Sequence, residues 1–276
     1  MIIHKTSTSG NDFVIVSRKE FLQTGEKEPD FAIKVCAEEE ADGVIFYSPA
    51  EEGADFRIVN SDGSGAEISG NGMAGLASVL FATGICKDRA VLNTTAGTRI
   101  IELIEQNDPL FRLRVDMGLP DFKNRKFFPF LAGSQNEYDY RGIPFYPVST
   151  GNPHAVVILE QFPEDTGELV KQGGELEAAE IFPMRTNVEF VLRPDSENRE
   201  EVPLIRTFFY ERGAGVTPFS STGTTAVFSV LHRLGLIGDS MKMETGEGPV
   251  PVMLKDKILI ESSTQIVYKK EYPKDK

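Results

Sequence analysis

Residues 69–84, Ser69-Gly70-Asn71-Gly72-Met73-Ala74-Gly75-Leu76-Ala77-Ser78-Val79-Leu80-Phe81-Ala82-Thr83-Gly84, reappear in outline as residues 220–235. Ser69/Ser220, Gly72/Gly223, Ser78/Ser229, Val79/Val230, Leu80/Leu231 and Gly84/Gly235 are identical pairs. Self-similarity on this scale implies two halves built to one plan. Each window predicts one helix, with a serine to cap it, a glycine in its first turn and a glycine stop. The apolar stripes are Met73, Leu76, Ala77 and Leu80 in the first copy, and Val227, Phe228, Leu231 and Leu234 in the second.

The surrounding order repeats as well. Thr8-Ser9-Gly10-Asn11-Asp12-Phe13 is echoed by Ser149-Thr150-Gly151-Asn152-Pro153-His154, and each Gly-Asn leads into an apolar strand-like run, Phe13–Val16 or Ala155–Ile158. Asp55–Asn60 and Leu204–Glu211 are further strand candidates. Each runs through a glycine turn, Asp62-Gly63-Ser64-Gly65 or Gly213-Ala214-Gly215, to its serine-capped helix. The pattern predicts two similar α+β domains, each with one long buried helix, facing each other so that both helix starts reach one cleft. Met117-Gly118-Leu119-Pro120 is the natural junction. The expected domains are residues 1–118 with 264–276, and residues 119–263. Arg193–Glu201 reads as a solvated loop, Glu38-Glu39-Glu40 as an exposed helical end, and the tail from Lys269 to Lys276 as frayed.

Composition narrows the function. With 276 residues, the chain is long enough to fold without disulfides or a metal. A net charge of −13 repels phosphate backbones and anionic lipid, so no nucleic-acid or membrane partner is expected. Two cysteines, Cys36 and Cys86, are too few for a disulfide framework, and three histidines without a C-x-x-C make a metal site unexpected. Neither a signal peptide nor an apolar run of membrane-spanning length is visible, which makes the cytoplasm the default expectation.

A helix start presents free N–H groups and partial positive charge, and small residues let a ligand approach. Two of them could grip a carboxylate and stabilise the negative charge that builds during α-proton loss. The motifs Ser9-Gly10-Asn11-Asp12-Phe13, Ala41-Asp42-Gly43, Asn60-Ser61-Asp62-Gly63-Ser64, Gly70-Asn71-Gly72, Met117-Gly118, Gly151-Asn152-Pro153-His154, Thr186-Asn187-Val188 and Glu211-Arg212-Gly213-Ala214-Gly215 run nearly end to end. In that order the chain resembles diaminopimelate epimerase and the wider superfamily of proline racemase and the phenazine-biosynthesis isomerases. The resemblance implies two pseudosymmetric domains, each a mixed, mostly antiparallel sheet wrapped around a central helix, with the active cleft between them. It also implies a cofactor-free proton transfer by two cysteines at helix starts, a chemistry suited to thiols with an unperturbed pKa of about 8.5.

The chain departs from that pattern at the chemistry. Ser69 and Ser220 stand where the family carries its catalytic cysteines, and Val216 where the epimerases carry a glutamate that holds the reacting amino group. Cys36 and Cys86 are expected to be buried packing residues and no substitutes. A serine hydroxyl is a far weaker acid than a thiol and needs a neighbouring base. The resemblance implies ligand-binding roles for Asn11, Asn60, Asn152, Asn187, Glu211 and Arg212, joined by Gly70, Asn71, Ser221 and Thr222 at the helix starts. Arg212 could be a carboxylate fork or a structural ion pair. His154 could be a general base or a hydrogen-bonded core residue. Asp62 and Glu211 are the other acid/base candidates.

The expected function is therefore an epimerase-like isomerase. It would act by proton transfer, without a cofactor, on a small carboxylate-bearing metabolite. It is not expected to be an efficient diaminopimelate epimerase. The competing reading is a non-catalytic metabolite- or partner-binding protein on the same scaffold, and a homodimer is left open.

Overall fold

The computed structural model describes residues 1–133, 135–195 and 202–272. The chain divides into two compact units, residues 1–116 with 261–276 and residues 117–260.

The first unit runs β1 (Ile2–Thr8), β2 (Asn11–Ser17), α1 (Arg18–Phe21), α2 (Glu28–Glu39), β3 (Gly43–Ala50), β4 (Gly53–Asn60), β5 (Gly65–Ala66), α3 (Gly70–Ala82), β6 (Arg89–Thr94), β7 (Gly97–Asn107) and β8 (Leu110–Gly118). The second runs β9 (Tyr138–Tyr140), β10 (Ile143–Ser149), β11 (Pro153–Leu159), α4 (Gly167–Glu177), β12 (Asn187–Leu192), β13 (Leu204–Ile205), β14 (Thr207–Glu211), β15 (Gly215–Thr217), α5 (Ser221–Arg233), β16 (Ser240–Met243), β17 (Val250–Leu254) and β18 (Ile258–Glu271). Most of β18 belongs to the first unit, where it pairs with β1. The architecture is α+β, with mixed, mostly antiparallel sheets.

The two units share one plan. An antiparallel hairpin opens each, β1–β2 or β10–β11. The second strand of each hairpin then pairs in parallel with the next long strand, β2 with β3 and β11 with β12. A parallel pair cannot be closed by a tight turn, so a crossover helix intervenes. α2 and α4 are those crossovers. They are additional to the one long buried helix expected in each half. α2 carries Pro29 at its start and buries Phe31, Ala32, Val35 and Cys36 on one face. In α4, Gly173 and Gly174 mask the helical signal. Gly173 is needed because the ring of Tyr210 would lie 2.7 Å from a Cβ there, and a Cβ at 174 would press on the Tyr210 hydroxyl at 3.1 Å.

α3 and α5 are buried along nearly their whole length. Such helices need an apolar surface on every side. α3 finds it against β1, β2, β3, β4, β6 and β7, and α5 against β10, β11 and β12. Phe21, Phe31, Phe46 and Tyr272 build an aromatic core in the first unit, and Phe128, Phe130, Phe145 and Phe182 one in the second.

Several expectations need correction. Leu204–Glu211 is not one strand: β13 pairs with β16, and β14 with β12 and β15, with the chain breaking ladder at Arg206. Residues 196–201 of the expected loop and 273–276 of the expected tail lie outside the described residues. Lys269 and Lys270 are not frayed but sit in β18 opposite His4 and Ile3. Glu39 is not a solvated helical end. It is buried at 9% exposure and accepts from Lys270 Nζ at 2.6 Å and from the Tyr268 hydroxyl.

Burial disfavours the Glu39 carboxylate, but the hydrogen bonds from Lys270 and Tyr268 and the charges of Lys270 and Lys5 outweigh it and lower its pKa. Stability from this group is complete above the ordinary value of 4.5 and disappears as pH falls through the lower folded value. Thermal unfolding midpoints of Glu39→Gln should therefore fall less on acidification than those of the parent. Parallel pH profiles for the two proteins would contradict this role.

Candidate functional site

The start of α5 brings a serine hydroxyl onto a carboxyl in the second unit. Ser220 is buried and extended (φ −134°, ψ 120°), and its Oγ accepts the Gly223 N–H at 3.2 Å, so it is the helix cap. The same hydroxyl donates to Glu211 Oε2 at 3.1 Å, while Thr217 Oγ1 donates to Glu211 Oε1 at 2.6 Å. Antiparallel pairing of β14 with β15, Glu211 opposite Gly215, folds the carboxyl back toward the helix start. Burial pushes the Glu211 carboxyl up. The two hydroxyl donors oppose this, the charge of Glu189 adds to it and that of His154 subtracts. Ser220 thus has a carboxyl base in hydrogen-bond contact.

Behind it lies a closed polar chain. His154 on β11 and Glu189 on β12 are both wholly buried, with Nδ1 and Oε1 2.7 Å apart. His154 Nε2 meets Asn152 Oδ1 at 2.8 Å, and Asn152 Nδ2 approaches Thr222 Oγ1 at 3.4 Å. Both ring nitrogens are engaged inside the protein and the ring is wholly buried. Asn187 clasps two segments, donating from Nδ2 to Pro153 O at 2.9 Å and accepting the Arg212 N–H at 2.9 Å. Arg212 directs Nη1 to Met184 O at 3.0 Å, which commits part of its fork to the backbone. Ser221 and Thr222 are buried in the first turn of α5. Val216 on β15 is 51% exposed.

The first unit repeats the scaffold without the base. Ser69 caps α3 by accepting the Gly72 N–H at 3.1 Å. Among the described residues no carboxyl or imidazole is hydrogen-bonded to Ser69. Asn71 Nδ2 donates to Asn11 Oδ1 at 2.8 Å, and Thr8 Oγ1 reaches Asn71 O at 3.3 Å. In the second unit Thr150 Oγ1, nearer to Asn152 Oδ1 at 3.1 Å, also lies 3.5 Å from Thr222 O. In each unit the hairpin turn is tied to the start of the buried helix. Gly70 opens α3 and is buried. Asn60 and Asp62 are occupied in the exposed turn before β5, where Asn60 Nδ2 donates to Ser64 Oγ and Asp62 Oδ1 accepts the Ser64 N–H.

Sequence reading missed Glu189, Thr217 and Glu177. Glu189 had a signal, a carboxylate inside the apolar strand Val188-Glu189-Phe190-Val191. Glu177, buried, accepts the Gly213 N–H at 3.1 Å and pairs with Arg185, so it holds the turn after Glu211. Both cysteines are buried and unbridged, and burial pushes the Cys36 thiol to about 12. Among the described residues no group of three or more His, Cys, Asp or Glu could hold a metal ion, and no helix is long and apolar enough to cross a membrane.

The family model of diaminopimelate epimerase matches residues 3–123 and 146–267. The chain belongs to the diaminopimelate epimerase family. It is 31% identical to the diaminopimelate epimerase of Methanocaldococcus jannaschii, with 91% of each chain covered. It is 34% identical to that of Archaeoglobus fulgidus, over 91% of this chain and 89% of the relative. A probable proline racemase from Agrobacterium radiobacter K84 has the same fold at a TM-score of 0.67 and 17% identity, with 99% and 93% of the two chains covered. A phenazine biosynthesis protein from Bacillus anthracis superposes at a TM-score of 0.64 and 15% identity over 99% of both chains.

Proposed function

We propose that the protein is an isomerase which moves a proton on a small carboxylate-bearing substrate through Ser220 and Glu211, without a cofactor, and that it is a poor diaminopimelate epimerase. The hydrogen bond from Ser220 to Glu211 carries this reading. As the Cα–H bond breaks, the α-proton passes to the Ser220 oxygen while the Ser220 hydroxyl proton passes to Glu211. Serine is unchanged overall, Glu211 becomes the acid, and the electron pair rests on an enolate. The start of α5 offers partial positive charge to that enolate. Return of the proton, to the same carbon or to a neighbour, completes the cycle. A carboxyl raised by burial is a better-matched base near neutral pH than an ordinary one.

Val216 supports a substrate without an amino group at that point, because an exposed valine offers an ammonium no acceptor. The bare cap at Ser69 favours a second reading, a metabolite-binding protein that no longer turns over.

Deuterium wash-in separates the two. Incubated in heavy water with small α-substituted carboxylates, the protein should exchange the α-proton of at least one of them. With either stereoisomer of diaminopimelate, exchange should be slow or absent. Efficient exchange with diaminopimelate would overturn the proposed substrate class. No exchange with any acid that binds would favour the binding protein.

A further inference from the structure

We propose that Glu189 is a positioning residue which, through His154, locks the Asn152 side-chain amide in one orientation and makes the ligand position beside it selective for hydrogen-bond acceptors, a carboxylate oxygen above all. This rests on the reading of Asn152 as a ligand-facing residue.

The argument is one of hydrogen-bond valence. Asn152 Oδ1 receives His154 Nε2 at 2.8 Å and Thr150 Oγ1 at 3.1 Å, which uses both lone pairs of the carbonyl. Its NH2 has the long 3.4 Å contact to Thr222 Oγ1 and one further N–H to give. A reversed amide would require a bare Nε2, hence a hydrogen on Nδ1 with Glu189 either ionised or protonated on Oε2. The surroundings disfavour both, because neither a charge nor a proton on Oε2 finds a partner there. Glu189 Oε2 is buried with no hydrogen-bond partner, and the Glu211 carboxyl is close enough for its charge to interact with that of Glu189. With Oε2 bare and the pair neutral, one proton lies along the 2.7 Å contact and the other on Nε2. The carbonyl of Asn152 then faces His154, and its amide hydrogens face away.

Gly223 leaves room for this arrangement. A Cβ at that position would stand 2.7 Å from Glu189 Oε1 and 3.0 Å from the Phe209 ring. The same carboxylate that positions His154 therefore packs against the first turn of the helix that Ser220 caps.

Nitrogen-15 NMR of the His154 ring in the intact protein tests the first step without turnover, so it is independent of the deuterium result. A protonated Nε2 at neutral pH is expected. A neutral ring protonated on Nδ1 alone would overturn the proposal. Acetate should shift the Asn152 side-chain amide resonances and methylammonium at equal concentration should not; equal shifts, or none with acetate, would overturn the selectivity. Glu189→Gln, whose amide can still donate to Nδ1, should retain most acetate affinity. Glu189→Leu should lose about tenfold, the scale of one good hydrogen bond. Parent-like affinity in a folded Glu189→Leu protein would also sink the idea. If that variant does not fold, the ring spectrum of the parent decides.

Discussion

Glu211→Gln should lower α-proton exchange by about two to four orders of magnitude, the usual contribution of a positioned general base. The amide matches the carboxylate in shape and can still accept from Thr217 or Ser220, so the fold should survive, but it cannot take a proton. In the parent, exchange should rise with pH along an acid limb above the ordinary carboxylate range, because burial raises the Glu211 pKa and only the ionised form accepts a proton. The stability effect has the opposite sense. A raised carboxyl stabilises the fold fully below its unfolded value and loses that contribution as pH rises through the folded one. The parent should therefore gain activity over the window in which it gives up some stability, and Glu211→Gln should show neither trend. Exchange at parental rates in a folded Glu211→Gln protein would remove Glu211 from the mechanism. Ser220→Ala separates relay from direct transfer: it removes the hydroxyl and the helix cap while leaving the carboxyl in place.

Gly53→Ala should be the most damaging small substitution in the first unit. Gly53 lies opposite Val91 where β4 pairs in parallel with β6. A Cβ there would stand 2.0 Å from Val91 O and 2.6 Å from Val91 N. Both are backbone atoms, so no rotamer change relieves the contact. Separating the strands would break the pairing that also places Ala54 opposite Leu92, both wholly buried. Denaturant unfolding should show a loss of more than about 3 kcal/mol, the overpacking range and beyond. Gly238→Ala is the control, because nothing lies within 4 Å of a Cβ at that position. It should stay within about 1 kcal/mol of the parent. Equal effects at the two positions would mean that β4 and β6 can part at little cost.

Much of the frame is local, and locality is what a sequence displays. Ser69 and Ser220 cap their helices through contacts only three residues away, to Gly72 and Gly223. The repeat made those caps visible. The strands holding Phe13–Val16, Asp55–Asn60 and Ala155–Ile158 follow from their apolar pattern and their glycine turns. Family membership was legible too, since the motifs keep their order along most of the chain.

The chemistry depends on partners far apart in sequence. His154 and Glu189 are 35 residues apart, and Glu39 and Lys270 are 231. A charged side chain exposed in one tertiary setting is a buried hydrogen-bond donor or acceptor in another. Glu39 therefore read as a solvated end and proved to be enclosed. The partners of the His154 ring, Asn152 and Glu189, became visible only in the fold. α4 was hidden because Gly173 and Gly174 weaken its helical signal, and only the ring of Tyr210 pressing on that turn explains them. The sequence by itself determined the two-fold plan, its caps and its turns, because these are written in short-range pattern. Only the tertiary structure decided that Ser220 has a carboxyl base and Ser69 has none among the described residues, because that difference lies in which strand end folds back onto which helix.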